Sequence, residues 1–401
     1  MNLSTKILIA LGLGIIAGLQ LGAEGAAFAK AWIGPLGTIF MNLIKMVIVP
    51  LVFSSLVMGV CGLGDVRKLG RVGLKTVALY LITTAFAIAL GIAFGVLVEP
   101  GAGLNMSTEG LKVTAKAAPP IMKVIIDIFP TNPLGAMVKA NMLQIILFAL
   151  FVGVGIVAVG EKAEALKNTI DGLAEVCYKM VAIIMSFAPF GVFGLITPVV
   201  AANGPAVLLP LLKVIICVYV GCLLHAIIVY GALVATLGKM SPMEFFRGVA
   251  PASLLAFSSC SSSGTLPLTM DCMRKMGVCQ NISSFVLPLG ATINMDGTAL
   301  YQGVCALFVA QIYGVELTGA QYMTIMLTGT LASIGTAGVP GAGFIMLTMI
   351  LTALGLPLEG SALIAGIDRI LDMPRTSVNV TGDAAVTVVV DRSETKEEPL
   401  Y

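Results

Sequence analysis

Five polar residues near the C-terminus keep one helical register inside an apolar run. Asp368, Asp372, Arg375, Asn379 and Asp383 stand at i, i+4, i+7, i+11 and i+15. At about 100° per residue all five fall within a stripe of roughly 80°. Charges at bilayer depth are costly, so they face a protein interior or a wet cavity and mark the path of an ion or polar substrate. A stripe of acid, base and amide suits a small, polar, charged ligand.

A second set lies in Pro288-Leu-Gly290-Ala-Thr292-Ile-Asn294-Met295-Asp296-Gly297-Thr298. Proline and glycines inside an apolar helix predict local unwinding. Unwinding frees carbonyls, and Asn294 and Asp296 add side-chain oxygens, the ligands that a hard monovalent cation takes. Asp296 has no basic neighbour in its own helix. Its counter-charge is either a bound cation or an arginine from another helix. Tyr80, Thr83 and Thr84 form a polar patch in the third apolar run, a weak signal alone because helical threonines bond back to the preceding turn.

These residues need elements to position them. The chain has 401 residues, 58% of them hydrophobic and 11% charged, with mean hydropathy +1.02. At about 20 residues per span, apolar runs at 5–24, 31–62, 72–98, 122–160, 173–201, 206–237, 249–272, 281–311, 321–353 and 359–390 account for nearly the whole chain. The fold class is an all-α polytopic membrane protein with almost no soluble domain. Arg67, Lys68, Arg71 and Lys75, then Lys239, Arg247, Arg274 and Lys275, mark cytoplasmic ends. Glu99, Glu109, Glu316 and Glu359 mark the other side, so both termini are expected in the cytoplasm. The first apolar run has no small-residue cleavage site and reads as a retained helix.

Two runs depart from ordinary spans. Ser253–Pro267 holds Ser258, Ser259, Cys260, Ser261, Ser262, Ser263 and Gly264 at its middle, and Ser333–Gly343 holds Gly335, Thr336, Gly338, Pro340 and Gly341. Both flanks of the first are positive and both flanks of the second are not. The simpler account is a re-entrant hairpin from each side with tips meeting near the midplane; the alternative is two kinked helices. Irregular backbone at that depth is tolerated only where it is buried or lines a cavity, and a matched pair of interrupted segments points to a transporter's binding site.

Other classes fare poorly. Net charge is +2, with no basic block for nucleic acid. The eight cysteines are scattered without metal-ligand spacing, no nucleophile–base pair or phosphate loop appears, and the single His225 reads as a core residue. An enzyme is not expected.

With those motifs on the page, the chain resembles the glutamate transporter family, the dicarboxylate/amino acid:cation symporters, and is most similar to prokaryotic sodium/aspartate symporters. The resemblance covers the whole length and rests on Ser261–Gly264, Asn294–Thr298, Ser333–Gly343 and Asp372–Asp383, in order and spacing. It implies eight transmembrane helices plus two re-entrant hairpins, at 249–272 and 321–353, in a homotrimer embedded in the lipid of the plasma (inner) membrane. It implies a trimerisation scaffold of residues 1–71 and 122–205, and an elevator-type transport domain of residues 72–121 and 206–390. Residues 391–401 would be a cytoplasmic tail. The second hairpin would gate.

The implied function is uptake of L-aspartate or L-glutamate with about three sodium ions. Arg375 would bind the substrate's side-chain carboxylate, where a bidentate fork outperforms lysine. Asp372 would take its α-amino group, and Asn379 with the Ser261, Ser262, Ser263 tip its α-carboxylate. Thr298, Thr376, Val339 and Gly343 would line the pocket. One sodium would take Gly290, Asn294, Asn379 and Asp383, and a second Thr292, Met295, Ser333, Ile334 and Thr336. A third would take Tyr80, Thr83, Thr84, Asn294 and Asp296. The archaeal pattern has an arginine where Cys260 stands, while Arg369 sits where vertebrate carriers place theirs, as a charge partner near Asp372 or Asp368. Gln302 replaces a glutamate found in proton-coupled vertebrate carriers and cannot titrate. A C4-dicarboxylate or proton-coupled symporter of the same family is the alternative. A dicarboxylate would leave Asp372 without an ammonium.

Overall fold

The computed structural model describes residues 3–62, 66–104, 126, 129–139, 141–334, 336, 338 and 341–394. Among these every regular element is helical and none is a strand. Among the described residues three helices are long and apolar enough to cross a membrane, Thr5–Phe40, Val72–Val98 and Gly204–Thr236, with a fourth candidate in the pair Leu147–Ile184 and Ala188–Ala202, bent by 56°. The last helix, Ser361–Glu394, is long enough but carries the charged stripe.

Several boundaries move from those expected, each for a local reason. The first two runs join through a π turn, Ala29–Ile33, and the chain bends earlier, at Gly22 (φ 57°, ψ −171°), a conformation only glycine adopts freely. The run expected at 173–201 breaks at Phe187 into Glu164–Ser186 and Ala188–Asn203. Pro189 is the cause: it lacks an N–H, and its ring clashes with the preceding turn, so a helix restarts there. The last helix continues four residues past 390, with Arg392 in its final turn favourably placed against the helix dipole. Residues 395–401 of the expected tail lie outside the described residues.

That helix also runs through Pro374 unbroken. A proline there leaves the carbonyl four residues back without its usual donor. Tyr219 supplies one, its hydroxyl donating to Ile370 O at 3.1 Å.

The helices pack in two groups. Leu3–Phe28 lies on Ala188–Asn203, and Gly34–Gly62 on Met142–Val159, Glu164–Ser186 and Ala188–Asn203. The second group gathers around the last helix and Asp296–Ile312, with Val66–Val98 against the latter. That contact is made at glycines: a Cβ on Gly303 would stand 3.0 Å from the Gly91 carbonyl carbon. Small residues let membrane helices approach closely. Seven residues before each glycine, two turns away, stand Thr84 and Asp296.

Each interrupted run folds as two helices packed on each other. Pro242–Ser259 and Ser262–Lys275 are joined by Cys260, in the left-handed region (φ 54°), and Ser261, whose Oγ caps the second arm by accepting from Gly264 N at 3.0 Å. Gly319–Ser333 and Ala342–Leu354 form the other pair, the first opening with a Thr318/Gln321 capping box. The arms begin earlier than at the expected 249, and end later than at 272 and 353, because Pro242 supplies an N1 start and Gly355 a left-handed stop.

Candidate functional site

The two tips touch. Ser261 Oγ donates to Gly338 O at 2.9 Å, and Ser263 N donates to the same oxygen at 3.2 Å. Gly338 also lies against the intervening helix, where a Cβ would stand 3.0 Å from Ala291 O. That helix ends at Ile293 and the next begins at Asp296. Between them Asn294 (φ −94°, ψ 92°) and Met295 (φ −118°, ψ 51°) are unwound, as the Pro288 and Gly290 spacing predicts.

Arg375 is the centre of the stripe and wholly buried. Its Nη1 donates to Asp368 Oδ1 at 2.9 Å, and its Nη2 lies 2.9 Å from Asp372 Oδ1. The second contact is an ion pair, and Nε has no acceptor among the described residues. The guanidinium carbon sits 4.0 Å from the centre of the Tyr301 ring, a cation–π contact. Asp372 is shared further: Thr376 Oγ1 donates to its Oδ1 at 3.1 Å, Gly341 N of the second hairpin to its Oδ2 at 3.3 Å, and Arg369 Nη1 stands 3.9 Å from Oδ2. Gly343 packs on the guanidinium, where a Cβ would lie 3.3 Å from Cζ and 3.1 Å from Thr298 Cγ2. A buried guanidinium whose Nε–H has no acceptor suits an incoming carboxylate.

A turn further along, Asn379 stitches the last helix to the unwound segment. Its Oδ1 accepts from Gly297 N at 2.8 Å, and its Nδ2 donates to Met295 Sδ and Thr298 Oγ1, both at 3.3 Å. Asn294 Nδ2 donates to Asp383 Oδ1 at 2.9 Å and to Asn379 O at 3.3 Å. Its Oδ1 is buried with no donor among the described residues, an open acceptor beside a carboxylate. Gly290 closes this group: a Cβ there would lie 2.5 Å from both Asp383 Oδ1 and Tyr80 OH. Tyr80 OH itself donates to Val286 O at 3.0 Å and Thr83 Oγ1 to Tyr80 O at 3.1 Å.

Asp296 is held from three sides. Thr84 Oγ1 donates to Oδ1 at 2.6 Å, Tyr230 OH to Oδ2 at 2.7 Å, and His225 Nε2 stands 3.2 Å from Oδ2. The basic side chain that meets Asp296 here is a histidine. On the second hairpin Ser333 and Thr336 are buried, their hydroxyls donating to Thr330 O and Ala332 O, with Ile334 capping the arm. Thr292 Oγ1 donates to Leu289 O at 2.9 Å. The structure thus brings Asp372, Arg375, Thr376, Thr298, Gly343, Asn379 and Arg369 together, and separately Tyr80, Gly290, Asn294 and Asp383. Thr84 meets Asp296 beside them. Val339 lies outside the described residues.

Sequence reasoning missed His225, Tyr230 and Tyr301, and ranked Asp368 below its place as the hydrogen-bonded partner of Arg375. The stripe itself carried the Asp368 signal.

Gly297 crosses the last helix at Arg375, where a Cβ would lie 2.7 Å from Arg375 Cα. Backbone cannot move aside as a side chain does, so Gly297→Ala overpacks the crossing by about 1–3 kcal/mol. The expected result is a lowered melting temperature together with weakened ligand affinity, read by thermal unfolding and ligand titration of the purified protein.

A charged interior sealed inside an apolar helical shell, with unwound backbone at its heart, belongs to the class of multi-pass membrane transport proteins. Comparisons with known proteins narrow this. The sodium:dicarboxylate symporter family matches residues 3–393. A proton/sodium-glutamate symport protein of Bacillus caldotenax is 39% identical, covering 98% of this chain and 94% of the relative. A proton/glutamate-aspartate symporter of Escherichia coli is 38% identical over 98% of this chain and 93% of its own. A C4-dicarboxylate transport protein of Bacillus subtilis is 33% identical over 98% and 94%. The chain belongs to the sodium:dicarboxylate symporter family, whose members are transporters and not enzymes.

Proposed function

We propose that this protein is a sodium-coupled symporter that takes up L-aspartate or L-glutamate. The observation that carries the reading is Arg375: a wholly buried guanidinium, flanked by two aspartates, beside an unwound helix and touching hairpin tips. A dicarboxylic amino acid offers a side-chain carboxylate for Arg375, an ammonium for Asp372 and an α-carboxylate for Asn379 and the backbone of the Ser261–Ser263 tip. Relatives described as glutamate and glutamate-aspartate symporters support this over the dicarboxylate reading.

The family resemblance supplies the ion count of about three. The cations would sit at the Asp383 group, the Asp296 group and the tip of the second hairpin. Their passage with the anion carries two net charges inward, and each unit charge gains about 2.3 kcal/mol per 100 mV. Sodium rather than proton coupling is favoured by Gln302, which is buried and cannot titrate.

In this reading the two packed groups of helices divide the work of transport. The first group of helices serves as a scaffold and trimer interface, and residues 72–121 and 206–390 as the body that carries the closed site across the bilayer like an elevator. The second hairpin gates, because its Gly341 N holds Asp372 and its tip lies on the first hairpin. In this reading eight spans and two re-entrant hairpins put both termini on one side of the plasma membrane, the cytoplasmic one by the Arg and Lys bias of the connecting segments.

The test is transport and competition in proteoliposomes. Uptake of labelled aspartate or glutamate is expected to need an inward sodium gradient, with succinate competing at least tenfold more weakly. Uptake driven by a proton gradient alone, or equal displacement by succinate, contradicts the proposal.

A further inference from the structure

His225 opens a π turn, His225–Tyr230, in which Gly231 N donates to Ala226 O five residues back. In a regular α-helix residues five apart point about 140° away from one another. An i→i+5 turn instead stacks them on one side, and such turns concentrate at functional sites. Here the result is direct: the His225 and Tyr230 rings meet edge to face at 4.9 Å, and both reach Asp296 Oδ2, at 3.2 and 2.7 Å.

The histidine, the tyrosine and the aspartate are all wholly buried. Against an Asp296 carboxylate, which only accepts hydrogen bonds, the contact needs its hydrogen on His225 Nε2. The two oxygens of Asp296 are then divided between two tasks. Oδ2 is held by the ring donors of the π turn. Oδ1 takes the Thr84 hydroxyl at 2.6 Å and lies on the side of Val66–Val98 that also carries Tyr80 and Thr83. A carboxylate free to rotate would present either oxygen; one clamped by two aromatic donors presents one.

We infer that His225 is a positioning residue: with Tyr230 it locks the Asp296 carboxylate so that Oδ1 and the Thr84 hydroxyl face a sodium ion at a fixed spacing. This rests on the reading of Tyr80, Thr83, Thr84, Asn294 and Asp296 as a cation site, and adds to it a residue from a different helix that touches no ion. The requirement is the N–H donor at that spot. Second-layer hydrogen bonds of this kind fix ligand orientation, and their loss costs on the order of 10–100-fold in metal affinity.

The experiment compares the full-length wild type with His225→Leu, His225→Gln and Tyr230→Phe. Binding of L-aspartate and L-glutamate to purified protein is titrated against sodium, and against lithium as a smaller probe. His225→Leu is expected to raise the half-saturating sodium concentration at least tenfold, to lower the slope of the sodium dependence, and to change the sodium-to-lithium ratio. Amino-acid affinity at saturating sodium stays within about twofold. His225→Gln, whose amide N–H is a donor of similar reach, restores at least half of the loss on a logarithmic scale, which a volume or packing defect would not explain. Tyr230→Phe gives a smaller shift in the same direction and keeps the test open if His225→Leu does not fold. Half-saturation and ion ratio within twofold of wild type in His225→Gln, Tyr230→Phe and any folded His225→Leu overturn the inference. Wild-type binding that ignores sodium overturns the functional reading instead.

Discussion

Replacing Arg375 with cysteine is expected to reduce binding of L-aspartate and L-glutamate by two or more powers of ten. The guanidinium is wholly buried and shared by Asp368 and Asp372 at 2.9 Å each. Removing one partner of a buried charge set costs about 3–5 kcal/mol, and each 1.4 kcal/mol is a factor of ten. In the variant a substrate carboxylate would enter a pocket holding Asp368 and Asp372 with only Arg369, 3.9 Å from Asp372, to offset them, so repulsion replaces attraction. A neutral amino acid such as serine escapes that penalty and is expected to compete better than glutamate. Arg375→Lys separates charge from shape. It keeps the positive charge but loses the planar fork and the contact with Tyr301, and should fall between wild type and cysteine. Calorimetric titration at saturating sodium reads all three. Wild-type aspartate affinity in Arg375→Cys contradicts the assignment of this pocket.

Much of the site was legible because its signals are local. The stripe from Asp368 to Asp383 lies on one helix, so spacing alone put five side chains on one face. The Asn294–Met295 break follows from Pro288 and the glycines around it, and the hairpins from serine and glycine runs inside apolar segments. What stayed hidden depended on contacts distant in sequence. His225 is a lone histidine in an apolar helix, indistinguishable from a core residue until Asp296 arrives from 71 residues away. No sequence signal announced the π turn that aims it. The stripe showed that Asp368, Asp372 and Arg375 share a face, but which carboxylate takes the hydrogen bond is a matter of rotamer. Thr84 became a partner of Asp296 only through the Gly91–Gly303 crossing two turns away. The restart at Pro189 and the bend at Gly22 were readable in principle, since both residues break helices for known reasons; the apolar runs around them masked the breaks.

Asp383→Asn is expected to weaken sodium and amino-acid binding together. Asp383 does not touch Arg375's partners; its Oδ1 takes the Asn294 amide at 2.9 Å, and that asparagine also donates to Asn379 O. Asn379 in turn accepts from Gly297 N and donates to Thr298, which lies beside Gly343 over the guanidinium. A cation beside Asp383 therefore fixes the same unwound segment that shapes the amino-acid pocket. Sites joined through one such element are linked reciprocally: whatever factor sodium adds to amino-acid affinity, the amino acid adds to sodium affinity. An amide is nearly isosteric with the carboxylate, so the fold is expected to hold while the charge that draws the ion is lost. The amino-acid dissociation constant at fixed sodium should rise at least tenfold and approach the wild-type value only as sodium is raised, with a shallower sodium dependence than wild type. Loss of amino-acid binding with sodium affinity intact would separate the two sites and remove Asp383 from the ion path.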